Sequence, residues 1–462
     1  MTHTLHVSTQ GRQVGQISFE AQDNQYSFNY AREWLDSPNS FYLAPAIPLS
    51  GGLYNSASVQ RFLENLLPEG RALDIASLTS QISKNNVFGL VQLLGKEPVG
   101  AFSFLALDAA EGDVAKITAE ENREPVRRAI SDEELNERIR NRDAYPFPVW
   151  DGKVRLSLAG YQDKLQVLIE GDELSLADGA LSSTHLLKPD SRNPTTPHMV
   201  ANEHFCMTLA AQLNRSLRLG LPVANVKLRR IPEPILLIER FDRVAKWYPE
   251  VPHRVQSVLR SHVIDSCQAL DLPSTFKYER NFGSGKDVQH IREGVSFERI
   301  FSLLNKMVTP ATARAYFVRW AILQLLIGNS DAHGKNMSFH VHPAGLSPAP
   351  MYDLVAVNAY GEHVENTMAM AYGDVFEPGD VTPYALADFA HRTGTPLRQL
   401  AREITRMARA IREIAPMQAA LDTYVGTEVD LVRQISDYIC AQAEHLLSIA
   451  DKIPKVDAKN FA

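Results

Sequence analysis

The apolar run Trp320-Ala321-Ile322-Leu323-Gln324-Leu325-Leu326-Ile327, followed at once by Gly328-Asn329-Ser330-Asp331-Ala332-His333-Gly334-Lys335-Asn336, constrains this chain more than any other stretch of its 462 residues. The run closes a helical periodicity over 311–327, and the polar segment places Asp331 and Asn336 five positions apart at its end. A carboxylate and an amide oxygen so placed suit phosphoryl transfer, whose transition state is mostly an electrostatic problem. One carboxylate orients the nucleophile, and hard oxygen ligands hold the metal that screens the phosphates. Taken alone the spacing is a weak signal, because two polar residues after a helix often cap it or form a turn.

Three further residues strengthen it. Asp353, in Ala349-Pro350-Met351-Tyr352-Asp353-Leu354, follows an expected strand at Met337 to Val341. Upstream, Lys188 ends a short strand and Glu203 opens the next helical stretch. The order Lys, Glu, Asp, Asn, Asp is that of protein kinases, in which the Lys–Glu pair grips the α- and β-phosphates and the last two residues bind metal. Each has a plainer alternative: a turn residue at Asp353, a solvated strand end at Lys188, a helix-start charge at Glu203. The joint order is harder to dismiss than any member. The usual Gly-x-Gly-x-x-Gly is missing before Lys188. The candidate phosphate cover is Ser157-Leu158-Ala159-Gly160-Tyr161-Gln162-Asp163-Lys164, with a single glycine, and by spacing alone a plain β-hairpin is the better reading.

The length allows two or three domains, and the composition is that of an ordinary globular chain. With 47 basic against 54 acidic residues, a net of −7, it is not a general polyanion binder. Three distant cysteines, Cys206, Cys267 and Cys440, argue against a disulfide scaffold and for a reducing compartment. No signal peptide and no membrane-spanning run is evident, so the expected location is cytoplasmic. The expected order is a strand-rich N-terminal subdomain (1–107), a charged connecting segment (108–147), a mixed α/β lobe (148–250) and a helical lobe (251–462). Within it, Phe62 to Gly70 is expected as a helix stopped by a Pro/Gly turn, and Ser131 with Glu134 as a capping box. Strands are expected at 154–158, 165–169, 184–188, 223–228 and 235–239, and helices at 202–213, 311–327, 383–415 and 428–450.

Other apparent motifs carry less. His340 and His342 share a strand face near His333, but no carboxylate or thiol completes a zinc set. Ser330 lacks a nucleophile elbow, and Gly283-Ser284-Gly285-Lys286 has no strand leading into it, so a surface loop is the better reading.

Assembled, the residues resemble the HipA family, the serine/threonine kinase toxins of bacterial HipBA-type toxin–antitoxin systems. The resemblance runs through Phe62-Leu63-Glu64-Asn65-Leu66-Leu67-Pro68-Glu69-Gly70, Leu156 to Lys164, Thr184-His185-Leu186-Leu187-Lys188-Pro189, Asn202-Glu203 and Ile238-Glu239-Arg240-Phe241-Asp242-Arg243. It continues through Cys267 to Pro273, Lys277-Tyr278-Glu279, Gly328 to Asn336 and Tyr352-Asp353-Leu354. It implies an α+β, bilobal protein-kinase-like fold with a β-rich N-terminal subdomain and a mainly helical C-terminal lobe. It assigns Asp331 as catalytic base, Asn336 and Asp353 as Mg2+ ligands, and Lys188, paired with Glu203, as the ATP lysine. Glu239, Arg240 and Phe241 fall at the adenine hinge. Ala159, Gly160, Tyr161, Gln162, Asp163 and Lys164 cover the phosphates, and His333, Lys335 and Tyr352 complete the nucleotide set.

Ser157 corresponds to a loop serine that family members autophosphorylate, and a phosphate there would repel the nucleotide. The implied partners are a helix-turn-helix antitoxin (HipB-like), operator DNA through it, and a protein substrate of translation such as an aminoacyl-tRNA synthetase. A kinase-fold co-repressor acting by binding antitoxin and DNA is the alternative, and a small-molecule kinase a more distant one. Arg392, Arg398, Arg402, Arg406, Arg409 and Arg412 form a local basic stretch that would suit DNA phosphates. A solvated face partly neutralised by Asp388, Glu403 and Glu413 is the plainer reading.

Overall fold

The alternation around Val14 to Phe19 becomes the strand Arg12–Glu20, which pairs antiparallel with Thr2–Thr9 and with Gln25–Tyr30. Ser103–Leu105 returns beside Thr2–Thr9 and completes a four-stranded sheet, with Leu5, Val7, Val14, Ile17 and Phe104 buried. The computed structural model describes residues 2–50, 52, 54–106, 123–155 and 162–457. Ser157, Ala159, Gly160 and Tyr161 therefore lie outside the described residues, as does most of the expected strand at 154–158. Two compact units emerge: Met1–Pro189 with Arg229–Ser274 and Phe339–Leu346, and Asp190–Leu228 with Thr275–Ser338 and Ser347–Ala462.

In the first unit, the helix expected over 62–70 lies earlier, at Ser56–Glu64, where the Asn55 side chain accepts from the Ala57 amide at 2.9 Å. Pro68 falls in the turn beyond it, and Gly70 begins the next helix, Gly70–Ser80, instead of ending the first. A six-stranded sheet runs in the order Val226–Arg230, Pro234–Glu239, His185–Pro189, Leu165–Glu170, Glu173–Asp178, Val126–Ile130. Its last strand comes from the expected connecting segment: Val126–Ile130 pairs antiparallel with Glu173–Asp178. The helix that follows, Asp132–Arg140, packs Leu135 and Ile139 into the sheet's core with Leu165, Val167, Leu187 and Ile235. Half of the expected capping box forms. Ser131 Oγ accepts from the Glu134 amide at 3.1 Å, while the Glu134 carboxylate turns to Arg128 at 2.6 Å.

Past residue 250 the helical expectation fails locally. Val255–Arg260 pairs with Arg243–Trp247 in a hairpin, and Val263–Asp265 and Gly345–Pro348 flank Ser338–His342, the strand expected at 337–341, in a three-stranded sheet. The β-branched and aromatic residues of these stretches fit a pleated surface better than a helix.

The second unit is mainly helical: Met199–Leu217, Phe297–Ser302, Pro310–Ile327, Pro383–Arg392, Leu397–Ala419 and Thr427–Ala450. The single helix expected over 383–415 is broken, because Gly394 takes φ +62° and Pro396 cannot continue the hydrogen-bond ladder. Pro310–Ile327 is buried along most of its length, from Ala313 to Ile327, with few exceptions.

Candidate active site

The sequence that follows Pro310–Ile327 explains its own turn. Gly328 ends the helix in the left-handed region (φ +64°), which favours glycine. The Asn329 amide NH closes back on the Gln324 carbonyl at 3.0 Å, and Asn329 Nδ2 donates to Gln324 Oε1 at 3.0 Å and to the Asp353 carbonyl at 3.3 Å. The polar loop then folds onto itself. His333 N donates to the Asp331 carbonyl at 2.8 Å, Asn336 N to the His333 carbonyl at 2.9 Å, and Asn336 Nδ2 to the Asp331 carbonyl at 2.8 Å. The five-residue spacing is thus the span of one closed loop. His333, Lys335 and Asn336 are buried, while the Asp331 side chain stays half exposed (52%), open to a reacting group. Ser330, considered and rejected as a nucleophile, donates its hydroxyl to the Glu365 carbonyl at 3.0 Å.

Asp353 also holds a left-handed conformation (φ +56°), a strained position for a residue with a side chain. Both flanks are fixed. Met351 bridges Val223, and Asn202 clamps the chain beyond, its Oδ1 accepting from Ala356 N at 2.8 Å and its Nδ2 donating to the Ala356 carbonyl at 3.2 Å. Tyr352 donates its hydroxyl to the Lys335 carbonyl at 2.5 Å and lies 2.7 Å from Ser338 Oγ, which braces the Asp353 turn against the Asp331 loop. Asp331, His333, Lys335, Asn336, Tyr352 and Asp353 therefore form one connected cluster within the second unit. Glu203, buried beside Asn202 on Met199–Leu217, belongs to the same unit.

The remaining described residues of the expected nucleotide site belong to the first unit. Lys188 sits on His185–Pro189 opposite Leu236, and its side chain is buried. Lys164 is buried immediately before Leu165–Glu170, and Asp163 pairs with Arg142 at 3.3 Å. Gln162 is half-buried, Glu239 is exposed, and Phe241 meets the edge of His340 at 6.0 Å. Arg240, between them, has a buried guanidinium bonded to Asp242 Oδ2 (2.9 Å), Ser183 Oγ (2.9 Å) and Glu97 Oε1 (3.3 Å), so its side chain packs within this unit.

The arginine stretch is also not one stripe. Arg392 ends its own helix and pairs with Asp388 (2.9 Å), Asp374 (3.1 Å) and Glu298 (3.3 Å). Arg406 donates to the Leu217 carbonyl, and Arg412 lies 3.8 Å from Glu444. Arg398, Arg402 and Arg409 remain exposed on Leu397–Ala419, with no ion pair among the described residues.

The motifs Asn202-Glu203 and Lys277-Tyr278-Glu279 are visible in the sequence, but of these residues only Glu203 has a role that the sequence implies. The structure makes Asn202 the clamp on the Asp353 segment and puts the Tyr278 hydroxyl 2.5 Å from Asp331 Oδ1. Spacing could not signal either, because both bonds join residues far apart in the chain.

Comparison with known proteins decides the family. A HipA N-terminal domain profile matches residues 5–105, and a HipA-like C-terminal domain profile matches residues 156–415. The chain belongs to the HipA family. The serine/threonine-protein kinase toxin HipA of Shewanella oneidensis is 39% identical over 99% of both chains. A putative kinase of Sinorhizobium fredii, Y4mE, is 30% identical over 95% of this chain and 97% of its own. The solved structure of the Shewanella oneidensis HipA, in a complex with HipB and its operator DNA, matches with a TM-score of 0.84 at 38% identity, covering 98% of this chain and all of that one. The fold is accordingly the α+β, kinase-like HipA fold, and the enzyme class is serine/threonine-protein kinase, with the nucleotide and metal use general to that class. No helix among the described residues is long and apolar enough to cross a membrane.

Proposed function

We propose that this HipA-family chain transfers the γ-phosphoryl group of ATP to serine or threonine hydroxyls, on itself at Ser157 and on a protein of translation. The observation that carries the reading is the closed loop that presents Asp331 half exposed while burying Asn336 beside it. Asp331 takes the proton of the incoming hydroxyl as its oxygen bonds to the γ-phosphorus and the bond to ADP breaks.

The donor set fits a hard cation. Asn336 spends its Nδ2 on the Asp331 carbonyl, which fixes the amide plane and leaves its oxygen as the ligand atom, and Asp353 supplies a carboxylate. These two would hold Mg2+, which when bound screens the phosphate charge. Lys188, with Glu203, and Lys164 would meet the phosphates, and Glu239 and Phe241 the adenine. Residues 159–164 would cover the triphosphate, and phosphate on Ser157 would drive nucleotide out by charge repulsion. As substrate, an aminoacyl-tRNA synthetase is the class that the family resemblance favours. The chain works in the cytoplasm as the toxin of a toxin–antitoxin pair.

The test is purified protein with labelled ATP and Mg2+, followed by mass spectrometry. Wild type acquires phosphate at Ser157 and Asp331→Asn does not. Equal labelling of both, or of neither, would falsify the reading.

A second role is supported by the relative solved with HipB and operator DNA. By that analogy the chain binds a helix-turn-helix antitoxin and reaches operator DNA through it, with Arg398 and Arg402 as the arginines available for phosphates; Arg392 is committed to Asp388, Asp374 and Glu298. Phosphate contacts of this kind weaken steeply with salt. Gel shifts with antitoxin, at two salt concentrations, separate this co-repressor role from the kinase.

A further inference from the structure

Asp331 sits on a loop with its side chain half in solvent, and nothing in its covalent structure fixes the plane of the carboxylate. The last torsion of an Asp is broad and roughly two-fold, so a base that must meet a hydroxyl at one angle needs an external bond to hold it. Tyr278 makes that bond: its hydroxyl donates to Asp331 Oδ1 at 2.5 Å, and its ring stands edge-on to His333, with centroids 5.0 Å apart and planes at 89°.

The tyrosine is mounted with unusual care. The residues around it are tied on both sides, with Val295 N to the Phe276 carbonyl at 2.9 Å, Gly334 N to the Lys277 carbonyl at 2.9 Å and Gly294 N to the Glu279 carbonyl at 3.2 Å. Glu279 N donates to the Ala369 carbonyl at 3.0 Å. The Glu279 carboxylate, buried, accepts from Ala371 N at 2.7 Å and from Arg292 Nε at 2.6 Å. Gly294 permits this close passage, since a Cβ there would lie 1.7 Å from the Tyr278 carbonyl oxygen. One of the ties, Gly334 N to Lys277, comes from the Asp331 loop itself, so the phenol and the carboxylate are carried on one rigid frame.

We propose that Tyr278 is a positioning residue for the transfer step: its phenol fixes the rotation of the Asp331 carboxylate so that the base meets the substrate hydroxyl at a productive angle. The inference rests on Asp331 as catalytic base. It adds that the base is useful only when held. A loosened base keeps its chemistry and loses alignment, which lowers the rate at saturating nucleotide and leaves nucleotide affinity alone.

The experiment compares full-length wild type, Tyr278→Phe and Asp331→Asn in self-phosphorylation with labelled ATP, measuring the maximal rate and the ATP concentration giving half of it. Phe keeps the ring against His333 and removes only the hydroxyl. The expected result for Tyr278→Phe is a maximal rate lower by about tenfold, less than the roughly 10²–10⁴-fold a general base supplies because the base itself is kept, with half-saturating ATP and melting temperature unchanged. A Tyr278→Phe rate equal to or above wild type overturns the proposal, the latter because the phenol would then be a competitor at the base. So does a change confined to half-saturating ATP. If Tyr278→Phe lowers the melting temperature as much as the rate, the role is structural and the proposal also fails. Asp331→Asn at wild-type rate sinks the base assignment itself, and that outcome is read independently of Tyr278. With the base confirmed, the Tyr278→Phe change should vanish in the Asp331→Asn background.

Discussion

Among single residues, Asp242 shows how a residue of a recognised motif can hold the fold together. Burial would raise its carboxyl, but Arg240 and Arg243 overcome that and hold it well below the usual carboxylate range. It accepts from Arg240 Nη2 at 2.9 Å, Arg243 Nη1 at 2.7 Å and Gly100 N at 2.9 Å, and both arginines are buried. Removing it takes the nearest carboxylate from two buried arginines and leaves them to share Glu97, a loss that typically costs about 3–5 kcal/mol. Asp242→Ala should therefore lose that much stability in urea unfolding of the full chain, and a loss below about 1 kcal/mol would mean that solvent compensates the arginines. Nothing in Arg240-Phe241-Asp242-Arg243 reveals this, because its partners Glu97, Ser183 and Gly100 are remote in sequence. By contrast, Asp331 and Asn336 were legible, since their bond lies within one loop.

At the level of elements, the helix Pro310–Ile327 and its stop were readable because propensity, burial pattern and terminating glycine agree. The stop has a tertiary side as well: a Cβ on Gly328 would lie 2.5 Å from Tyr438 Cε1 on Thr427–Ala450. Gly328→Ala thus meets both the left-handed backbone penalty of roughly 1–2 kcal/mol and an overlap with a packed ring. A fall in melting temperature together with slower self-phosphorylation is expected, because the displaced turn carries Asp331. A stable variant of unchanged rate would show that the turn relaxes without moving the loop. Elsewhere, helical periodicity misled where the break was local, as at Gly394 to Pro396. It failed also at Val255–Arg260, which pairs with Arg243–Trp247, and at Val263–Asp265, whose partner Ser338–His342 is remote in sequence.

For the molecule as a whole, histidines of the first unit contribute acid sensitivity: burial lowers His185 and His340, and His262 most clearly. His262 packs against both Phe41 and Phe102, at centroid distances of 5.5 and 4.2 Å, and its Nε2 donates to the Leu43 carbonyl at 2.8 Å. Burial lowers it from 6.5 to about 4. The folded chain keeps the ring neutral while the unfolded chain protonates it, so the contribution is whole above about pH 6.5 and is lost as pH falls towards 4. That amounts to roughly 3 kcal/mol. Unfolding free energy should drop over this window in wild type and drop less in His262→Gln; parallel curves would remove His262 as the cause.

By itself the sequence determined the family, the two kinds of architecture and the spacing of Asp331, Asn336 and Asp353, because these depend on local order, periodicity and contiguous motifs. Only the tertiary structure decided that the Arg240 side chain is buried against Asp242, Ser183 and Glu97, that the arginine stretch is divided, that 126–130 joins the sheet and that the Tyr278 hydroxyl bonds Asp331. Each of these is a contact between segments tens of residues or more apart, or a choice among competing partners for one charge, and a linear pattern contains no term for either.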